Sequence, residues 1–588
     1  MAQKLPSVDV VLVGFGWTGA IMGHELTEAG LEVLAIERGS LRETSTDFAP
    51  TFIQDELRYR YRGHLFEQTA QETLTFRNTS DQKALPMRRL GSFLPGTGVG
   101  GSILHWNGQA WRFLPYDFEI RSQTIARYGE GMVPQDMTLQ DWGVTYNELE
   151  PYYTRWEELC GIAGQAGNVN GQKKSGGNPF EGRRSKSYPT PPMKQTYGPT
   201  LFAEAADSIG LHAFPCPSAN MSQAYTNPLG VSLAPCTYCG FCEKFGCGNY
   251  SKASAQTTIL PVLMQKKNFG LRTESEVTAI NLDSSRKHAT GVTYVDMHGN
   301  EYEQPADLVV VCAYITHNVH LLMTSGIGTI YDPSTGQGTL GKNYCYQITP
   351  SVDVFLGDKV LNPFVGAGAL GMIVDDWNGD NFDHSGLGFI HGGYIAGYVT
   401  TGRPIETEFL PEGTPKWGAK WKKAFIENYL TSMSVSLMGA VMPNSANHLD
   451  LDPTYRDVYG RPLMRMTYDF KQNELRMQDF TMAKMVDIAK AMKPREIKKS
   501  PRGPHYDIEP YQSTHNTGGA IMGATAQQSV VNRYLQHWEV PNLFVVGASA
   551  FPHNSGYNPT GTVSALALWA ADAIRNQYLK RPGPLVQT

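Results

Sequence analysis

"VDVVLVGFGWTGAIMGHELTEAGLEVLAIERG", residues 8–39, decides the fold. Val8 to Val13 is a short apolar, β-branched run, suited to a strand buried in a parallel sheet. Gly14, Gly16 and Gly19 follow as G-x-G-x-x-G. The first allows a tight turn, the second lets backbone approach a pyrophosphate, and the third lets the next helix pack closely on the strand. The N-terminus of that helix offers N–H donors and a positive dipole end to phosphates. Glu37 ends the next strand, "LEVLAIE", where an acid accepts ribose hydroxyls. A lone glycine triplet carries little weight. Strand, triplet, helix, strand and terminal acid together predict a dinucleotide-binding unit, without choosing between NAD and FAD.

The rest of the chain sets bounds. At 588 residues it exceeds one ordinary core, so two interleaved domains are expected. A net charge of −5 and the absence of a Lys/Arg run with interleaved aromatics give no reason to expect nucleic-acid binding. The opening "MAQKLPSVDVVLVGFG" has no apolar segment before the first strand, so no signal peptide is expected. No run reaches the ~18 uninterrupted apolar residues of a membrane span. Residues 164–192 are rich in Gly, Pro and Lys and are predicted to loop over the surface.

Two further stretches refine the cofactor. Residues 91–108, "GSFLPGTGVGGSILHWNG", hold Gly96, Gly98, Gly100 and Gly101, too dense for an ordinary strand or helix. Such a segment lets backbone press against a flat cofactor. Residues 541–574, "PNLFVVGASAFPHNSGYNPTGTVSALALWAADAI", predict a strand from Leu543 to Val546, then Gly547, a loop, and a helix from about Thr562. That helix would aim its N-terminus at the pyrimidine end of a flavin and stabilise negative charge there.

These stretches, with "LVVVCAYITHNVHLLMTSGIG" at 308–328 and "STHNTGGAIMG" at 513–523, resemble the glucose–methanol–choline family of FAD oxidoreductases from end to end. Cys312, Ala313 and Tyr314 stand where the family usually has a small Ala-Gly-Ala turn, which marks a subgroup. The resemblance implies an α/β chain: a Rossmann-like FAD domain from residues 1–45, 85–112, 230–345 and 520–588, with an α+β substrate domain from 46–84, 113–229 and 346–519 interleaved. It implies cofactor contacts at Gly98, Gly100, Gly101, Ser102, His105, Asn107, Val277, Gly547, Asn558 and Thr560. His515 falls at the position of the family's catalytic base, and Asn558 at that of its substrate-oxygen partner. His553 and Asn554 lie close by and compete for the second role. Histidine suits a base because its pKa is near ~6.5. Some relatives attach a histidine of the second glycine segment to the flavin, so His105 is either a covalent anchor or a packed residue.

"PCTYCGFCEKFGCGNY", residues 235–250, gathers four of the eight cysteines: Cys236, Cys239, Cys242 and Cys247. Three readings stay open. Disulfides rarely find good geometry between cysteines three apart on one loop. Structural zinc usually wants two pairs separated by a longer spacer. An iron–sulfur cluster wants several thiolates from one loop, and C-x2-C-x2-C suits it, although the fourth cysteine comes one residue late. The cluster reading points to a dehydrogenase, because a cluster splits the flavin's electron pair for a one-electron acceptor. Cys160, Cys216, Cys312 and Cys345 are scattered and read as apolar packing.

The cysteine-rich loop resembles the flavoprotein subunits of membrane-bound bacterial sugar and sugar-acid dehydrogenases within the family. That resemblance implies a [3Fe-4S] cluster. It also implies a cytochrome c subunit, a small subunit with a twin-arginine signal, quinone as eventual acceptor, and a place on the periplasmic face of the inner membrane. The expected reaction is oxidation of a secondary alcohol of a sugar acid, D-gluconate at C2 foremost. Fructose, glucose, 2-ketogluconate or another polyol are the alternatives. A sugar oxidase and a zinc-stapled, non-catalytic flavoprotein are rivals of other classes. A carboxylate substrate calls for an Arg or Lys in the pocket. Residues 346–510 hold many, and linear order singles none out.

Overall fold

The structure is a computed structural model that describes residues 2–48, 72–88, 90–398 and 409–587. Part of the expected substrate-domain segment 46–84, residues 49–71, lies outside the described residues.

Val8–Val13 sits at the centre of an eight-stranded sheet. It pairs in parallel with Val33–Ile36 on one side and with Glu301–Val311 on the other. Phe269–Arg272 extends the first side and Leu543–Val545 the second, both parallel. The β-branched run makes this possible: Val10, Val11 and Leu12 are wholly buried between layers. Glu301–Val311 is long enough to serve twice. Its C-terminal half completes the parallel sheet, and its N-terminal half pairs antiparallel with Ala289–Asp296, which pairs with Ser275–Leu282. The chain leaves Val8–Val13 in one direction and returns on the other side. That reversal opens a crevice beyond the strand's carboxyl end, where open α/β sheets bind ligands.

Gly14 turns the chain out of the strand at φ +86°, and a Cβ there would lie 2.8 Å from Ala313 Cα. The turn feeds helix Trp17–Glu28, buried from Trp17 to Thr27. The last helix, Thr560–Ala573, packs against it, and Trp17 Nε1 donates to Ser564 Oγ at 2.7 Å. This helix starts two residues before the predicted Thr562, because Pro559 sets the entry and Thr560 already takes helical form.

A second sheet is antiparallel throughout, in the order Glu496–Ser500, Ser351–Phe355, Ser432–Gly439, Gly393–Tyr398, Gly371–Val374, Ala213–Pro215. Side chains alternate between its faces. Val352, Val354 and Val435 enter an apolar core with Phe202 of helix Tyr197–Ser208 and Met485 of helix Gln472–Ala491. Ser351, Ser436 and Met438 point the other way, into a cavity.

Residues 164–192 form a loop with two short strands, Asn168–Val169 and Gln172–Lys173. It is not simply a surface excursion. Arg184 is fully buried, pairs with Glu157 at 2.5 Å, and lies over the Tyr188 ring at 3.8 Å. A long excursion keeps one conformation only if something fastens it, and this buried guanidinium does so.

Candidate active site

The two sheets face each other across a cavity of about 480 Å³. Gly14, Gly16 and Glu37 line one end, and His515 and Asn558 line another part of the same wall system. Gly101, Ser102, His105, Asn107, Val277, Gly547 and Thr560 line it between them. Three expected contacts lie just behind the lining. A Cβ on Gly19 would meet Gly14 O at 2.5 Å, so this glycine permits helix and turn to touch. Gly98 N donates to Glu37 Oε1 at 3.2 Å, and Gly100 N to Phe15 O at 2.7 Å. These two join the second glycine segment to the first.

A flat cofactor fits this cradle. Gly101 has φ +61°, and a Cβ on it would lie 2.9 Å from Gly16 Cα, so the two segments meet closely because Gly101 lacks a side chain. Glu37 accepts Phe15 N–H and Gly39 N–H, each at 2.8 Å, in addition to Gly98. Its carboxylate is thereby fixed at the strand's end, where a ribose hydroxyl would reach it.

His515 is held on every side. Its Nδ1 is hydrogen-bonded to Gln347 Oε1, and Gln347 Nε2 donates to Ser555 O at 2.8 Å and Tyr557 O at 3.2 Å. With its amide nitrogen engaged by two carbonyls, Gln347 offers only its oxygen, so Nδ1 carries the proton and Nε2 is the basic atom. Asn554 Nδ2 donates to the His515 carbonyl at 2.5 Å and to Tyr346 O at 2.9 Å. Burial pushes the His515 pKa down to about 3, so the imidazole is neutral at ordinary pH.

Asn558 is oriented too. Tyr394 OH lies 2.9 Å from Asn558 Oδ1 and 2.7 Å from Gln109 Oε1. With Oδ1 turned to Tyr394, the Asn558 amide hydrogens are left for an oxygen in the cavity.

His553 plays no part in the cavity lining. It is wholly buried, with Nε2 2.8 Å from Trp142 Nε1 and 2.7 Å from Asp117 O. Its rival Asn554 acts through the His515 carbonyl rather than on the cavity. Gln347 and Tyr394 were not assigned roles from sequence. Gln347 lies 168 positions from His515, and no local pattern marks it.

Cys236, Cys239, Cys242 and Cys247 all line one small cavity of about 20 Å³. All eight cysteines are free thiols, and Cys160, Cys216, Cys312 and Cys345 are buried. Among the described residues, no group of three or more His, Cys, Asp or Glu side chains is arranged to hold a metal ion. The donor set is nevertheless thiols alone, which suits iron–sulfur chemistry rather than a mixed site. Burial pushes the Cys236, Cys239 and Cys242 thiols up, Cys242 to about 12. Three non-glycine residues in or beside the loop have left-handed backbone: Tyr238 at φ 56°, Lys244 at 66° and Tyr250 at 53°. Such strain persists only where surroundings impose it.

The loop is bolted to the cavity wall. Lys244 N donates to His105 O at 2.7 Å. Buried Lys252 Nζ donates to Trp106 O at 2.7 Å and Cys242 O at 2.8 Å. Asn220 links the Cys242 thiol, at 3.5 Å, to the Asn107 carbonyl, at 3.1 Å.

Comparison with known proteins agrees with this architecture. The chain belongs to the GMC oxidoreductase family, whose models match residues 218–349 and 443–567. It is an FAD-dependent alcohol dehydrogenase of that family. It is 48% identical over its whole length to the gluconate 2-dehydrogenase flavoprotein of Pantoea cypripedii, covering 96% of that protein. It is 24% identical to the fructose dehydrogenase large subunit of Gluconobacter japonicus, over 98% of this chain and 99% of that one. Among solved structures, pyridoxine 4-oxidase from Mesorbium loti has the same fold, with a TM-score of 0.59 and 16% identity over 98% of this chain and all of that one. Among the described residues, no helix is long and apolar enough to cross a membrane.

Proposed function

We propose that the protein oxidises a secondary alcohol of a sugar acid, D-gluconate at C2, to the 2-keto acid. The observation that carries the alcohol chemistry is the convergence of an oriented neutral imidazole, His515, and an oriented amide, Asn558, on the glycine-cradled cavity. The likeness to the Pantoea flavoprotein supports the choice of sugar acid. Bound FAD supplies the hydride acceptor. His515 Nε2 takes the hydroxyl proton, while Asn558 donates a hydrogen bond to the substrate oxygen and holds it in place. The N-terminus of helix Thr560–Ala573 adds a positive dipole end at the cavity wall. In this reading the parallel sheet's segments carry the cofactor and the antiparallel sheet's segments carry the substrate.

Anaerobic dye reduction with a substrate panel tests the assignment. D-gluconate gives the highest kcat/KM. A panel led by fructose, glucose or 2-ketogluconate transfers the function to that sugar, and peroxide formed without dye makes the protein an oxidase.

The cysteine loop is the proposed electron exit. Cys236, Cys239, Cys242 and Cys247 supply the thiolates for an iron–sulfur cluster of the [3Fe-4S] type, one of the four being spare. A cluster held there would pass electrons one at a time. The proposed acceptor is a cytochrome c subunit, with quinone beyond it. A small twin-arginine-signal subunit completes the heterotrimer on the periplasmic face of the inner membrane.

His105 is the proposed flavin anchor. Burial and the nearby Lys252 charge push its pKa down to about 3, so the imidazole stays neutral and nucleophilic beside the cavity. Acid-precipitated protein therefore stays yellow, and His105→Ala releases the colour to the supernatant. A colourless wild-type pellet leaves His105 as a packed residue.

A further inference from the structure

Four lysine and arginine side chains line the cavity: Arg38, Lys244, Arg461 and Arg502. Two are matched by carboxylates. Arg38 pairs with Glu72, and Arg461 with Glu276 at 3.0 Å and Asp457 at 2.7 Å. Lys244 lies over the Tyr511 ring at 4.5 Å, on the cysteine loop. Arg502 differs from the two paired arginines, and, unlike Lys244, it is fixed by two hydrogen bonds. Its Nε donates to the Thr349 carbonyl at 2.9 Å and its Nη2 to Thr349 Oγ1 at 3.0 Å. Among the described residues no carboxylate pairs with it.

These two bonds occupy one edge of the guanidinium. Three of its five donors remain, both on Nη1 and one on Nη2, which is the edge that grips a carboxylate with two parallel bonds. A largely buried cation without a counter-ion is costly, and an anionic ligand offsets that cost.

The placement of Arg502 relative to the base is equally specific. Ile348 pairs with Gly439 and Ser351 with Ser436, so one extended register runs through residues 348–351. Thr349 lies within this run and Gln347 immediately before it, two positions apart. Gln347 holds the His515 ring and Thr349 holds the Arg502 guanidinium. Base and cation are thus held from two positions of one short segment, and His515, Arg502, Thr349 and Ser351 all line the cavity.

We propose that Arg502 binds the carboxylate of a 2-hydroxy acid, directly beside the carbinol carbon whose hydroxyl His515 deprotonates. In such a substrate the carboxylate carbon is bonded to the reacting carbon, so groups held from one short segment reach both. The O–H and C–H bonds at C2 break and the proton passes to His515 Nε2, while bound FAD would supply the acceptor for the hydride and its electron pair, so that a 2-oxo acid leaves. This rests on the sugar-acid reading and adds to it the residue that selects acids over neutral sugars, along with the position of the acid group. Fructose, glucose and polyols would leave the guanidinium unmatched.

The test compares D-gluconate with D-glucitol, its neutral counterpart, on the flavin-loaded protein with whatever subunits co-purify. The readouts are kcat/KM for each by dye reduction, and the Kd of 2-deoxy-D-gluconate from the change in flavin absorbance. The latter is an acid that lacks the C2 hydroxyl. In Arg502→Gln the acid-to-polyol ratio of kcat/KM falls about 10²-fold, mostly through KM, and the Kd weakens by a similar factor. Arg502→Lys recovers part of the ratio, because a point charge remains without the fork. Lys244→Gln keeps it. Flavin content and melting temperature report folding. If Arg502→Gln loses its flavin, Arg502→Lys answers alone, with a fall of about tenfold in the ratio. Gluconate oxidation with an unchanged ratio in these variants overturns the role of Arg502 and leaves the sugar-acid reading standing. So does a loss that follows Lys244 instead. Wild-type protein that neither oxidises nor binds gluconate overturns the sugar-acid reading, and this assignment falls with it.

Discussion

His515→Ala protein keeps its flavin and turns substrate over about 10²–10⁴-fold more slowly than wild type, the usual loss when a general base is removed. The flavin stays because the cradle is built elsewhere, where Gly16 meets Gly101 and where Glu37 is fixed by three backbone amides. The rate falls because Nε2 is the one ring atom that Gln347 leaves basic. The pH profile adds a sign. The basic form of His515 exists above its pKa, which burial lowers to about 3. On its account wild-type kcat/KM therefore has no acid limb near pH 6.5 and declines only as pH approaches about 3. A limb near 6.5 that disappears in the variant would mean that bound substrate or flavin restores an ordinary pKa. Near-normal kcat in the variant removes His515 from the mechanism.

Cys242→Ser protein that still folds reduces its flavin with substrate but no longer reduces cytochrome. The two half-reactions depend on different residues. Proton removal needs His515 and Asn558, so substrate still bleaches the flavin absorbance in an anaerobic single turnover. Onward transfer needs the thiols, so cytochrome or quinone reduction collapses. Cys242 is chosen because it is the cysteine tied to both Lys252 and Asn220, the links to the flavin-side segment 105–107. Folding is checked first, because losing a metal can unfold the loop it organises. Iron and acid-labile sulfide are measured alongside. A folded, iron-free variant that reduces cytochrome at the wild-type rate makes the cysteines structural.

What could be read from sequence follows the range of the interactions. The glycine triplet, Glu37, the second glycine segment, His515 and Asn558 could be singled out because each lies in a short stretch whose pattern is local, and most of them line the cavity. The residues that make them work were not. Gln347 reaches His515 across 168 positions and Tyr394 reaches Asn558 across 164. Thr349 meets Arg502 across 153. Nothing in linear order distinguishes that arginine from its neighbours; its lack of a carboxylate partner exists only in three dimensions. His553, the rival weighed against Asn558, shows the converse. It lies five positions before Asn558 in sequence, but the chain turns it inward onto Trp142.

The cavity wall is gathered from residue 13 to residue 563, and the strand at 543–545 enters the sheet beside a strand made more than 200 residues earlier. During synthesis the first βαβ unit emerges early and lacks its partners. Neither Asn558 nor the helix that bonds to Trp17 exists until the ribosome has passed Ser564. Cofactor loading is therefore a step that follows synthesis of this helix. A product terminated before Asn558 can hold the dinucleotide-binding turn and still lack the residues that close the cavity.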